Sequence, residues 1–487
     1  MPKKNLKVLF ASAELHPFAK AGGLADVAGS LPVALKKLGA DVRVIMPKYG
    51  LIDEKKHKLK KILSDVKISS GGSIKKVNVF EGVLPGSKVK VYFIDNKKYF
   101  GKKEIYWDGN DPKKFISDPE RFLFFSLACL HVLPKLKFKP DVAHAHDYHA
   151  SLIIDLIKAS NEEYFKNIKT ILTIHNLNYQ GKANPKVLTV GNLTKNSLPS
   201  LKVDLKDGDV NFFVQGIMNA DVITTVSETY AKEIMTEKFG AGLENIIKKR
   251  KKDLYGVVNG LDIDFFNPSR DKNIEYNYSV KSLKKKELNK LYLQKKVGLP
   301  QDKNIPLVGF VSRLAWQKGI ELIDQKFGEL NCQFVFLGTG QKEYEEQLER
   351  MAKKYPNKVA TNIMFDAKFA NQIYAGSDIF LMPSRFEPCG LGQMIAMRYG
   401  AVPIVRATGG LKDTVAKFDN KNKKATGFVF NKFSSDALHR ELKRALQIYH
   451  NDKKTWKLVQ TQGMKQDFSW NVSARKYLKL YKKIIKK

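Results

Sequence analysis

The chain writes one pattern twice. Short unbroken apolar runs of strand length alternate with stretches of helical period, which is the signature of parallel sheets flanked by helices. In the first half the strand-like runs are 6–13, 41–46, 141–145, 170–174, 222–226 and 254–258, and helical periods fit 25–38, 120–133 and 227–236. Between 62 and 94 the runs shorten and alternate around Gly71-Gly72 and Pro85-Gly86, which predicts a β-hairpin insertion. The grammar restarts near Pro306, with strands at 307–311, 333–337, 358–363, 379–382 and 402–405 and helices at 319–327, 344–354, 368–375, 391–399 and 436–449. The polar, lysine-rich stretch 262–304 is expected to carry a hinge and a surface excursion. The pattern implies an α/β protein: two open domains in tandem with a cleft between them. Ligands in such folds sit beyond the carboxyl ends of the strands.

Composition narrows the function classes. No stretch of the 487 residues approaches the about 18 uninterrupted apolar residues of a membrane span. The opening Met1-Pro2-Lys3-Lys4 and its apolar run lead straight into Glu14 and His16 without a small-residue cleavage site, so we read a buried first strand, not a signal peptide, in a cytoplasmic protein. No Ser/Arg-rich transit segment precedes it, which points to a bacterial, not a plastid, source. Cys129, Cys332 and Cys389 are few and far apart, fitting a reducing compartment with no disulfide framework and no metal knuckle. The net charge of +36 raises nucleic-acid binding, but the lysines are spread through every segment without interleaved aromatics. The densest run, 281–296, alternates with Leu, Tyr and Glu like a solvated helix face. We therefore expect no nucleic-acid partner; the charge can still attract an anionic small substrate.

Chemistry concentrates at strand ends. Lys20-Ala21-Gly22-Gly23-Leu24-Ala25-Asp26-Val27 joins the first strand to the first helix. Its glycines permit close backbone approach, and a helix start offers N–H groups to an anion. The pattern is not G-x-G-x-x-G, so a dinucleotide site is a poor reading. His144-Ala145-His146-Asp147-Tyr148-His149 invites a zinc reading, yet zinc ligands usually come from more than one segment; a polar wall for sugar hydroxyls is preferred. Thr173-Ile174-His175-Asn176-Leu177 opens from another strand into a loop. In the second half Ser312-Arg313-Leu314-Ala315-Trp316-Gln317-Lys318-Gly319 places Arg313 at a strand end and Lys318 at the next helix start, where they can clamp a diphosphate. Pro383-Ser384-Arg385-Phe386-Glu387-Pro388-Cys389-Gly390-Leu391-Gly392-Gln393 is a strand-end carboxylate followed by a rigid turn and a helix start, and Ala407-Thr408-Gly409-Gly410-Leu411 ends another strand.

In this order, these motifs, with the terminal Gln466-Asp467-Phe468-Ser469-Trp470, resemble the bacterial and plant glycogen/starch synthases, retaining glycosyltransferases of family 5. The resemblance runs from about residue 6 to residue 482 and is carried by the ordered set, since each motif alone is weak. It implies the GT-B fold: two Rossmann-like domains facing each other across a deep cleft. The acceptor-side domain would be 1–262, with a helix at about 470–487 packing back on it, and the nucleotide-sugar domain 263–469. It further implies transfer of glucose from ADP-glucose, less often UDP-glucose, to the non-reducing end of an α-1,4-glucan with retention, without a cofactor and without a metal. Lys20 matches the family's donor-site lysine, Gly22 and Gly23 its close-approach loop, and Asp26 the acidic residue after it. His175 matches the histidine beside the transferring glucose, and Arg313 and Lys318 the pair on the diphosphate. Glu387 matches the carboxylate near the sugar, Cys389, Gly390 and Leu391 the turn that follows, and Asp147 an acidic residue implicated in activity.

Those residue types suit the chemistry. Cleaving the glucose–phosphate bond leaves negative charge on ADP, which Arg313, Lys318 and a helix N-terminus would stabilise. A retaining hydrolase places two carboxyl groups about 5 Å apart; no second carboxylate clearly pairs with Glu387, which favours front-face attack. Ala21, Ala25, Gly392 and Phe365 depart from the family's usual residues, and Phe365 stands where a Tyr often stacks on adenine. The competing readings are a UDP-glucose-using synthase, a sucrose- or trehalose-type transferase, and a non-catalytic α-glucan-binding protein. The intact set of Lys20, His175, Arg313, Lys318 and Glu387 argues against the last.

Overall fold

The computed structural model describes residues 5–106, 116–198, 200–419 and 421–486. It divides into two compact units, one of Met1–Val226, Ala231–Gly260 and Trp470–Lys487, the other of Ser227–Tyr230 and Leu261–Ser469.

The first unit is built on a nine-stranded sheet. Its strands are β1 (Lys7–Ala11), β2 (Asp41–Pro47), β3 (Lys60–Ser70), β4 (Ser73–Val83), β5 (Lys90–Asp95), β6 (Val142–His146), β7 (Lys169–Ile174), β10 (Val222–Thr225) and β11 (Leu254–Gly256), while β8 (Lys182–Ala183) and β9 (Val210–Asn211) form a separate small pair. The order is β11-β10-β7-β6-β1-β2-β5-β4-β3. All pairings from β11 to β5 are parallel; β4 and β3 add antiparallel edge strands. The expected hairpin is present, β3 and β4 turning at Gly71-Gly72, and it extends the main sheet.

Chain order explains the site. From β1 the chain winds outward to β2, then restarts at β6 on the other side of β1, so the carboxyl ends of β1 and β6 flank the switch point where crossovers leave in opposite directions. The helices fall into two groups accordingly. Gly23–Lys37 packs against Trp470–Ile485, while Asp118–Val132 and Phe212–Asn219 both pack on Tyr148–Ala159. Helix Asp118–Val132 starts where Ser117 accepts the Glu120 N–H, and helix Gly23–Lys37 carries Asp26 in its first turn and Lys36 and Lys37 in its last, matching the dipole at both ends.

The second unit repeats the plan with β12 (Leu307–Val311), β13 (Gln333–Leu337), β14 (Val359–Asn362), β15 (Ile379–Met382), β16 (Val402–Arg406) and β17 (Phe428–Phe430), all parallel, in the order β14-β13-β12-β15-β16-β17. Its switch point lies between β12 and β15. Both sheet faces are apolar: Val308, Phe310, Phe334 and Phe336 enter one core, and Leu307, Val335 and Leu337 the other.

Two expectations fail here. The helix predicted at 319–327 is three short 3-10 turns, Trp316–Lys318, Ile320–Leu322 and Gln325–Glu329. Gly319 is left-handed at φ +70°, and Ile323 and Asp324 leave helical geometry, so no continuous helix can form. Within the stretch 262–304 the lysine run is likewise not wholly solvated. Helix Lys286–Lys296 buries Lys286 and Lys290. The Lys286 ammonium donates to the carbonyls of Tyr374 and Ala375 at the end of helix Ala367–Gly376, and Lys290 pairs with Asp378 at 2.7 Å. Burial lowers the Lys286 pKa to about 7. No described helix is long and apolar enough to cross a membrane.

Candidate active site

At the first switch point the loop after β1 carries the Lys20–Asp26 motif. Gly22 is the extended N-cap of helix Gly23–Lys37. Neither Gly22 nor Gly23 has a positive φ, and a Cβ on Gly23 would meet nothing within 4 Å. The fold of this unit therefore does not demand glycine at 23, and the space beside it is open. The Lys20 ammonium donates to Asp26 Oδ1 at 2.7 Å, and about half of the Lys20 side chain is exposed. The N–H groups of Ala21 and Gly22, expected to await an anion, are already taken: both donate to Glu14 Oε2 at 2.7 Å. Glu14 is 3% exposed, and its Oε1 accepts the Tyr106 hydroxyl at 2.6 Å. Sequence reading passed over Glu14 because a lone carboxylate in a loop has no spacing that announces which N–H groups it meets.

Across the same switch point β6 delivers the histidines. His144 is fully buried and both ring nitrogens are engaged, Nδ1 with the Tyr481 hydroxyl at 2.7 Å and Nε2 with Thr173 Oγ1 at 2.6 Å. His146 is equally buried, and its Nδ1 lies 2.9 Å from Nε2 of His175, at the end of β7. The expectation that this motif forms a sugar-facing polar wall is thus wrong for His144 and His146, which are core residues. Among the described residues, no group of three or more His, Cys, Asp or Glu side chains is arranged to hold a metal ion.

Asp147 sits at φ +56°, ψ −178°, a region nearly reserved for glycine, and its Oδ1 accepts the backbone N–H of His175 at 2.7 Å. That bond ties the His175 loop to the end of β6. The carboxyl and its neighbours are withdrawn from water. Burial raises the Asp147 pKa to about 8 and lowers those of His149 and His175 to about 3.

The second switch point collects the other half of the motif set. Glu387, 9% exposed at its side chain, accepts from Lys318 Nζ at 2.6 Å and from Ser384 Oγ at 3.1 Å on the same oxygen. Glycines make the approach possible. A Cβ on Gly319 would lie 2.2 Å from the Pro383 carbonyl oxygen, and one on Gly409 2.0 Å from that of Glu387. The Gly410 N–H donates to the Glu387 and Pro388 carbonyls, both at 3.1 Å, so the 407–411 motif is the clamp behind the Glu387 turn. Buried Arg406 donates to the carbonyls of Ser384 and Arg385 from the same side. Cys389 is buried, Gly390 is left-handed at φ +73°, and Leu391 caps helix Gly392–Arg398. Arg313 is exposed beyond β12, beside the Gly338-Thr339-Gly340 turn, where the Leu314 N–H bonds the Thr339 carbonyl. That Gly-x-Gly after β13 was legible in sequence and passed over. Phe365 lies at the surface, 88% exposed.

Residues 7–249 match the family model described as starch synthase catalytic domain, and residues 292–458 that of glycosyl transferases group 1. The chain is 43% identical to a glycogen synthase of Thermotoga maritima over 99% of both chains. The chain belongs to the glycogen synthase family. A second family member, from Streptococcus agalactiae, is 42% identical over 98% of this chain and 100% of its own. The catalytic domain of starch synthase IV from Arabidopsis thaliana, solved bound to ADP and acarbose, superposes with a TM-score of 0.90 at 33% identity, covering 99% of this chain and 100% of its own. A sucrose-phosphate synthase from Thermosynechococcus elongatus, at 16% identity and TM-score 0.59, shares the fold alone.

The buried groups of this family member set a pH profile for its first unit. His144, His146, His149 and His175 have folded pKa values below the unfolded value, so the unfolded state takes up the protons and stability is lost as pH falls below about 6.5. Burial raises Asp147 and Asp155 to about 8 and Asp204 to about 6; these keep protons when folded, so stability is lost as pH rises towards 8. The two sets act in opposite directions, so the stability of this unit is expected to pass through a maximum between the acid limb set by the histidines and the alkaline limb set by the aspartates. Urea unfolding from pH 5 to 8 would show this as a maximum; a profile rising monotonically to pH 8 would contradict it.

Proposed function

We propose that the chain is a cytoplasmic glycogen synthase that transfers glucose from ADP-glucose to the non-reducing end of an α-1,4-glucan, with retention and without a metal or cofactor. The observation that carries this reading is the Lys318–Glu387 pair at 2.6 Å at the second sheet's switch point, where a doubly wound fold binds its ligand. Lys318 and Arg313 stabilise the diphosphate as negative charge develops on it. Glu387 faces the glucosyl group, whose anomeric carbon becomes cationic, and the turn Cys389-Gly390-Leu391 presents backbone to the donor. Phe365, exposed and flat, offers a stacking face to the base. On the first unit Lys20, Gly22, Gly23 and Asp26 serve the donor, and His175, held by Asp147, lies beside the transferring glucose.

The glucan 4-hydroxyl attacks the anomeric carbon on the face that ADP leaves. The O4–C1 bond forms, the C1–phosphate bond breaks, and the hydroxyl proton passes to the departing phosphate oxygen. His175, neutral at working pH, donates or accepts a hydrogen bond without adding charge. The solved starch synthase relative with ADP supports the adenine nucleotide.

The test is incorporation of labelled glucose into glycogen from ADP-glucose or UDP-glucose in EDTA. ADP-glucose is expected to label the polymer. Labelling from UDP-glucose alone would overturn the donor assignment, with Phe365 the first residue to examine. Glycogen binding with no labelling from either would overturn the enzymatic reading.

A further inference from the structure

We propose that Glu14 is a positioning residue for the nucleotide-sugar loop, holding Ala21 and Gly22 so that Lys20 starts from one fixed place. The inference rests on the donor role proposed above for Lys20.

Glu14 cannot itself meet substrate in this arrangement. It is 3% exposed, Oε2 takes the N–H groups of Ala21 and Gly22 at 2.7 Å each, and Oε1 takes the Tyr106 hydroxyl at 2.6 Å. Its own backbone is anchored: the Glu14 N–H donates to Ser12 Oγ at 3.3 Å, and Ser12 Oγ donates to the Glu14 carbonyl at 2.7 Å. The turn between Glu14 and the helix is closed by Leu15 N–H to the Ala19 carbonyl at 2.9 Å and His16 N–H to the Ala25 carbonyl at 3.1 Å. Tyr106 is stacked on His149 at 4.9 Å, so the hydroxyl that reaches Glu14 comes from a ring that is itself held.

The charge matters as much as the contact. Ala21 and Gly22 present their N–H groups at the start of helix Gly23–Lys37, where the helix dipole is positive. A phosphate would ordinarily be attracted there. Glu14 meets the two N–H groups just ahead of the helix with the protein's own carboxylate, which fixes the loop from which Lys20 reaches towards an anionic donor. With residues 21 and 22 pinned, the Lys20 side chain has one partner to leave, Asp26 at 2.7 Å, and open space beside Gly23 in which to move.

A double-mutant cycle tests this with the full-length chain. Glu14→Gln keeps the shape and one acceptor oxygen but removes the charge, and is expected to melt within a few degrees of the wild type. Its kcat/KM for the sugar nucleotide should fall about 10–100-fold through loss of alignment, while the KM for glycogen stays within about twofold. In a Lys20→Ala background the same change should cost less than about twofold, because the residue it positions is gone. Tyr106→Phe, which loses one bond to Glu14, should lower kcat/KM about fivefold. Equal losses in both backgrounds, or no loss in the first, would overturn the proposal. A wild type that transfers no glucose from either sugar nucleotide would instead remove the donor reading on which it stands. Activity of the wild type with an unaffected Glu14→Gln would leave that reading intact and refute the positioning role alone.

Discussion

Lys318→Met is expected to lower kcat about 10²–10³-fold, the cost of removing one preorganised donor from the charge that develops on a leaving group. It should also destabilise the second unit. The Glu387 carboxylate, 9% exposed, would keep only the Ser384 hydroxyl. Stranding a nearly buried charge costs about 3 kcal/mol, the low end of the usual range because 18% of the Lys318 side chain still meets solvent. For a unit of this size that is a fall of about 6–12 °C in its melting transition. Lys318→Met combined with Glu387→Gln separates the two effects. The neutral amide no longer needs a cation, so most of the melting temperature should return while activity stays lost. Calorimetry and single-turnover kinetics on the three proteins read both quantities. Retention of a third or more of wild-type kcat in the single variant would mean that Lys318 does not act on the developing charge.

Gly409→Ala is the second large effect. The position has φ +44°, and the new Cβ would be built 2.0 Å from the Glu387 carbonyl oxygen, a separation no real pair of atoms tolerates. The backbone must move, and what it pushes is the turn that aims Glu387. We expect a loss of about 3 kcal/mol, combining left-handed strain with overpacking. The displaced carboxylate should lower kcat by about 10–100-fold, since a shift of about 1 Å in a reacting group costs that much. Gly298→Ala is the control. Its φ of +74° is equally left-handed, but a Cβ there meets nothing within 4 Å, so it should cost only about 1 kcal/mol and leave kcat unchanged. If the two variants melt alike, the crowding against Glu387 is relieved cheaply and the clamp role assigned to Gly409 is wrong.

Elements whose cause is local were legible from the residues alone. Strands predicted at 307–311, 333–337 and 379–382 coincide with β12, β13 and β15, because a strand covered on both faces must be apolar along its whole length. The glycine-bearing loops were legible for a similar reason: close approach and left-handed backbone restrict the residue type at the position itself. The ordered motifs identified the family, since most of them sit at strand ends where a rigid scaffold presents loops.

Every property that depends on a distant partner was settled by the folded chain. His144 was expected on a sugar-facing wall and is a core residue because Tyr481, 337 positions away, and Thr173 take its two nitrogens. Lys286 and Lys290 looked solvated and are buried because carbonyls at a helix end and Asp378 receive them. The helix read at 319–327 dissolved into turns because Gly319 must pass within van der Waals reach of the Pro383 carbonyl. Glu14 gave no signal at all, since its role exists only once β1 and its following helix bring two N–H groups to one oxygen. Local preference acts through a residue's own backbone and neighbours; burial, charge pairing and steric approach act through residues that only folding brings near.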